Sequence, residues 1–158
     1  MEAVREEDLN LAVERVVGNL QGIDNLFPIQ TDMLRCIVGQ ENLFFTAPTN
    51  SGKSLPPCMY PDLLHELNKL GYDFPPSPKV LFITNLNSIQ LSLITTMKKI
   101  GINCHALKNS ENIEELLKSD TSVVFVGPEV LKLPSVTKAL LKFRNSFVLK
   151  VIDEAHLG

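Results

Sequence analysis

Two short runs in this chain carry residue types suited to chemistry on a phosphate. The first is APTNSGKS, Ala47 to Ser54. It follows a short apolar run and should open a helix, the setting in which a glycine loop turns backbone N–H groups towards phosphate oxygens. Asn50, Ser51, Gly52, Lys53 and Ser54 would present those groups, and Thr49 is counted with them as a ligand-binding position. Lys53 supplies a mobile positive charge to the terminal phosphates. The Ser54 hydroxyl would bind magnesium, leaving the remaining coordination to phosphates and water. Ala47 stands at the first glycine of the pattern G-x-x-x-x-G-K-[ST]. Asn50 is, after glycine, the residue most tolerant of left-handed backbone, although its side chain narrows the loop.

The second run is DEAH, Asp153 to His156, directly after the strand-like FVLKVI. A parallel-sheet phosphate site needs acidic groups at the carboxyl end of a strand near the loop. Asp153 would hold the magnesium ion, while Glu154 would orient and partly deprotonate an attacking water. Charge compensation at the metal and activation of the nucleophile occur at different points, so the chemistry needs both carboxylates. His156 could pass a hydrogen bond onward to an element that reports loss of the terminal phosphate.

For the two runs to meet, the chain between them must build a parallel sheet, and its patterning predicts one. KVLFIT, INCHAL, SVVFVG and SFVLKVI read as strands, with the run before the glycine loop as a fifth. SIQLSLITTMKKIG, NIEELLKS and SVTKALLKF read as the helices between them. Short apolar runs alternating with helices imply an α/β fold with a mostly parallel sheet and helices on both faces. Upstream, DLNLAVERVVGNL places Leu9, Val13, Val16, Val17 and Leu20 on one helical face, with Asp8 as N-cap and Gly22 as stop. Residues 1–24 are therefore expected as an N-terminal helical extension. IQTDMLRCIVG predicts a second helix closing at Gly39. Six of the ten prolines fall between Pro56 and Pro78. Residues 56–78 are accordingly expected to be irregular, with a helix that begins late or kinks at Pro61.

Composition narrows the classes. The 158 residues suit one domain, 44% of them are apolar, and 15 basic against 18 acidic side chains give a formal charge of −3. No strongly basic nucleic-acid footprint is implied. Three widely spaced cysteines fit neither a disulfide framework nor a zinc site, and His65 and His105 lack ligand partners at zinc spacing. Lys98 and Lys99 sit at a helix end, where positive charge suits the dipole. No secretory segment or membrane-length apolar run is present, so an intracellular, non-membrane protein is expected.

Together these residues resemble the first RecA-like domain of a superfamily 2 helicase, a P-loop NTPase fold, over about Leu26 to His156. APTNSGKS is similar to motif I and DEAH to motif II. FPIQTDML resembles the glutamine-containing motif 0 of the RecQ-like ATP-dependent DNA helicases. ITNLNSIQLS lies where motif Ia would, and VGPEVL resembles the proline–glutamate segment of that branch. Ski2-like and other DExH helicases share much of the pattern.

The resemblance implies ATP and Mg2+ as ligands, with Gln30 reading the adenine edge and Lys53, Ser54, Asp153 and Glu154 in the roles above. His156 would couple hydrolysis to the nucleic-acid side. Asn87, Ser88 and Gln90 would contact the backbone of one strand, and Gly127 and Glu129 lie near a second such contact. It implies the ATP-binding part of an ATP-dependent DNA helicase, with DNA as partner ahead of RNA, in the nucleus if eukaryotic and otherwise in the cytoplasm. The chain is expected to stop after motif II, without the second RecA-like domain that supplies arginines to the transferring phosphoryl group. By itself it should bind ATP weakly and not unwind. A non-catalytic module that binds nucleic acid or protein, and an RNA helicase of the DExH class, are the alternatives. The strand before DEAH is expected to lack a neighbour on one side, inviting self-association.

Overall fold

The computed structural model describes residues 3–38, 43–47 and 54–153. Five parallel strands form one sheet: β1 (Leu43–Ala47), β2 (Lys79–Ile83), β3 (Cys104–Leu107), β4 (Val123–Val126) and β5 (Phe147–Asp153). Their spatial order is β1-β5-β2-β4-β3. The helices are α1 (Glu6–Asn19), α2 (Pro28–Ile37), α3 (Leu55–Lys69), α4 (Ser88–Ile100), α5 (Ile113–Lys118), α6 (Pro128–Leu131) and α7 (Pro134–Lys142). A 3-10 turn, Arg144–Ser146, leads into β5.

The strands alternate their side chains between two cores, as a period of two requires. Val80, Phe82, Cys104, Val123, Phe125, Leu149 and Val151 pack with residues of α1, α2, α3 and α4. Leu81, Ile83, Leu107, Val124 and Val126 pack with α5 and α7 on the other side. Because both faces are covered, β2 and β4 are buried at every position. That is why they read as unbroken apolar runs in the sequence. Near its start β5 carries a register shift: Lys79 pairs with Phe147, yet Val80 pairs with Leu149. The skipped residue, Val148, lets Phe147 join one core and Leu149 the other.

The structure corrects two expectations. The proline-rich stretch is helical from Leu55 to Lys69, with Pro56 and Pro57 in the first turn and Pro61 inside the helix. First-turn prolines lose no helical hydrogen bond, but an interior proline does. α3 nevertheless continues, because eleven of its fifteen residues are buried. The sheet lies on one side of it and α1 and α2 on others. The second correction concerns β5, which has a neighbour on both sides, β1 and β2. Among the described residues the strands paired on one side only are β1 and β3.

The helix read as an extension belongs to the core. Leu9, Ala12, Val16 and Leu20 of α1 and its end are buried in the same cluster as Leu63, Leu64 and Leu67 of α3. Its start is tied down by polar contacts as well. The Tyr72 hydroxyl donates to Asp8 Oδ2 at 2.7 Å and accepts from the Arg5 N–H at 3.0 Å. Arg35 of α2 reaches Glu6 at 2.8 Å. The N-cap is Arg5 rather than Asp8, and Gly22 lies in the turn after the helix, with φ +78°.

Candidate functional site

All five strands run in the same direction, so the segments after them emerge along one edge of the sheet. In a parallel α/β sheet this carboxyl edge is where ligands bind. The register fixes who stands beside whom. Ala47, the last residue of β1, pairs with Asp153, the last residue of β5. Hydrogen-bonded strands lie roughly 4.8 Å apart. The segment that opens the glycine loop and the segment that begins DEAH are thus carried by adjacent strand ends. Of the loop, Thr49, Asn50, Ser51, Gly52 and Lys53 lie outside the described residues, as do Glu154 and His156.

Ser54 is described: it is the residue before α3 and is buried, at 4% exposure. A serine hydroxyl at a helix start and a carboxylate at a neighbouring strand end are hard oxygen donors. Magnesium usually takes one or two such groups and completes its shell with phosphate and water. The donor set at Ser54 and Asp153 therefore suits Mg2+ held with a nucleotide. An all-protein metal cage is a different matter, for among the described residues no cluster of three His, Cys, Asp or Glu could hold an ion.

Gln30 is placed by α2. Its Oε1 accepts the Phe27 N–H at 2.8 Å, capping the helix start, and the residue is only 5% exposed. Just before it in the chain, Phe27 and Ile29 are 68% and 53% exposed. One amide oxygen lone pair is spent on the cap, which fixes the side chain's rotamer.

Further along the edge, the segments after β2 and β4 meet. The Thr84 N–H donates to Val126 O at 2.9 Å. A Cβ on Gly127 would stand 3.8 Å from Thr84 O, so the two backbones are already in contact. Asn87 caps α4 by accepting the Gln90 N–H at 3.0 Å, and Asn87 and Ser88 are exposed. Gln90, expected beside them as a strand contact, is buried at 6% exposure. Glu129 is exposed and Gly127 half-buried. Two exposed cations that the motifs did not mark stand here too: Lys108 directly after β3 and Lys132 directly after α6. Only their position at strand and helix ends could have singled them out.

Perturbed titratable groups lie elsewhere among the described residues, and burial causes most of them. Lys79, at the opposite end of β2, has its pKa lowered by burial, partly offset by Asp120. Its Nζ donates to Ser119 O and Thr121 O, each at 2.7 Å. Burial raises the Cys104 thiol to about 11 and pushes Cys58 higher still. Buried, protonated thiols of this kind are inert packing groups. No helix of the described residues is long and apolar enough to cross a membrane.

No curated protein matches the chain. Residues 27–157 match the DEAD/DEAH box helicase family. The match begins at the turn that holds Gln30 and runs past Asp153, spanning the whole carboxyl edge. The parallel sheet, the paired ends of β1 and β5 and this match agree, and the chain belongs to the DEAD/DEAH box helicase family.

Proposed function

We propose that this chain is a nucleotide-binding helicase module that takes Mg2+·ATP at the β1–β5 end of its carboxyl edge and a single polynucleotide strand at the β2–β4 end. The observation that supports the reading is the pairing of Ala47 with Asp153, the strand ends from which the glycine loop and the acidic run depart. Lys53 and the loop N–H groups hold the phosphates, Ser54 and Asp153 the magnesium, and Gln30 the adenine edge. Bound magnesium neutralises phosphate charge and Glu154 orients the attacking water. His156 relays the outcome towards the strand. Asn87, Ser88, Gly127 and Glu129 form the strand-side surface, with Lys108 and Lys132 supplying its positive charge. Nucleotide binding with slow hydrolysis is the activity proposed for these residues, and arginine from a second RecA-like lobe would speed the hydrolysis that drives unwinding.

The similarity of FPIQTDML and VGPEVL to the RecQ-like branch favours DNA as the strand; the broader family match leaves RNA as the competing reading. Titration calorimetry with Mg2+·ATP and Mg2+·ADP tests the nucleotide half, with Lys53→Ala as control. Heat from the natural chain and none from Lys53→Ala is expected. Equal heats would remove the phosphate-loop assignment. Anisotropy with matched single-stranded DNA and RNA then separates the two polymers.

A further inference from the structure

A groove of about 710 Å³ opens where α1 and the segment leading to α2 diverge, on the outer side of the molecule. Its apolar lining comes from Val13, Val17, Leu20, Ile23 and Leu26, and its charged lining residues are Glu14 and Asp24. No described lysine or arginine lines it, and Arg15, the nearest base in sequence, is not part of the wall.

Two further features make it negative and open. α1 ends here without a basic residue in its last turn, whereas α2, α3, α5 and α7 each carry one and α4 two. The partial negative charge of its carbonyl end is therefore left uncompensated by its own side chains. Gly18, inside α1, also lines the groove, and a Cβ there would meet nothing within 4 Å. A helical glycine costs roughly 1 kcal/mol relative to alanine. Nothing in the packing of the fold asks for it. Its effect is to bare the α1 backbone towards the groove.

We propose that this groove docks a short basic segment of a partner protein, with an aliphatic side chain on the apolar lining and adjacent Lys or Arg against Glu14, Asp24 and the end of α1. Charge complementarity selects this occupant: an acidic or neutral peptide would leave two carboxylates and a helix end facing it unpaired. Thr31 forms part of the wall and directly follows Gln30, so the docked segment adjoins the turn that holds that glutamine. This inference does not depend on the nucleotide reading.

The test is selection of a random dodecapeptide display library on the full chain without nucleotide, followed by anisotropy with the enriched peptides. Enriched sequences should place Lys or Arg beside Leu, Ile or Val, and their binding should weaken with salt. Gly18→Phe, which fills open space, should lower affinity by roughly tenfold or more, as blocking a central anchor does. Gly18→Ala should keep most of it. An unchanged thermal melt shows that Gly18→Phe is folded; should it not fold, Glu14→Lys with Asp24→Lys gives the same loss by charge reversal. No enrichment, acidic winners, or affinity that survives the blocking variant overturns the proposal. So does a dimer in light scattering that Gly18→Phe dissolves, since the occupant is then a second copy. Because no nucleotide is present, failure here leaves the ATP reading standing, and failed ATP binding leaves the groove standing.

Discussion

α3 and α4 leave the same edge of the sheet and are built in opposite ways. α4 follows the local rules: Asn87 caps it, Lys98 and Lys99 occupy its last turn, and Gly101 closes it in the left-handed region at φ 107°. It buries only Gln90, Ile94 and Met97. α3 has no side-chain cap, three prolines and eleven buried residues. An interior proline costs a helix about 3 kcal/mol or more. Burying a side chain such as Met59, Leu63, Leu64 or Leu67 returns about 1.5–3 kcal/mol each, and all four are 0% exposed. Local signals thus suffice for a helix with water on one side. A helix surrounded by protein is decided by its surroundings. The division matches the two proposed tasks, since phosphate must be held on a fixed frame whereas a flexible strand tolerates an exposed one.

The largest effect expected from this comparison is on stability. Leu63→Ala should cost about 2–5 kcal/mol, as buried leucine truncations do. Ile94→Ala in α4 should cost less, because Ile94 is one of only three buried residues in its helix and its neighbours there can relax towards solvent. Chemical denaturation of the two variants compares them directly. Equal losses would mean that α4 is as deeply anchored as α3, and the contrast would fail.

Lys79 sharpens the same point with a polar group, being 1% exposed and satisfied by two carbonyls. Lys79→Met leaves Ser119 O and Thr121 O without that donor, a loss of about 1–3 kcal/mol at neutral pH. Its pKa is lowered on folding, so between the folded value and the ordinary ~10.5 the unfolded chain binds more protons. Stability from this group therefore rises with pH through that window and is lost as pH falls through the folded pKa. Cys58 and Cys104, both raised, act in the opposite sense above the ordinary thiol range, so the readable quantity is the difference between the natural chain and Lys79→Met. That difference should grow in favour of lysine as denaturation is repeated from neutral to alkaline pH. A flat difference would show that Lys79 is not desolvated in solution.

The smallest effects form a pair. Asn87→Ala removes a cap and should cost about 1 kcal/mol, largely restored by Asn87→Ser. Pro61→Ala regains about 3 kcal/mol of helix propensity. It loses about 1.6 kcal/mol of buried methylene, and roughly 0.4–1 kcal/mol of unfolded-state restriction goes with it. A net gain of roughly 0.4–1 kcal/mol should appear as a slightly higher melting temperature. A loss instead would show that proline itself packs better in α3 than this sum allows.

Much of the fold was legible because each layer leaves its own period in the chain. KVLFIT, SVVFVG and SFVLKVI became β2, β4 and β5, since strands covered on both faces are mostly apolar, with Lys79 at the start of β2 held by two carbonyls. α4 was legible to within a residue, since both of its ends are set locally. The extent of α3 was not, because proline's cost is a local term and its compensation comes from α1, α2 and the sheet. The resemblance marked Gln90 as a strand contact without indicating that its side chain is buried behind the cap made by Asn87. The groove beside Gly18 left no motif, since it is made by two elements diverging.

What the sequence by itself determined is the alternation of strands and helices and the chemistry of the two motif runs, because both depend on residues a few positions apart. What only the tertiary structure decided is adjacency. Ala47 meets Asp153, Thr84 meets Val126, and Lys79 meets Ser119 and Thr121 because strand order and register were settled by burying two faces of one sheet. No local preference along the chain specifies that choice.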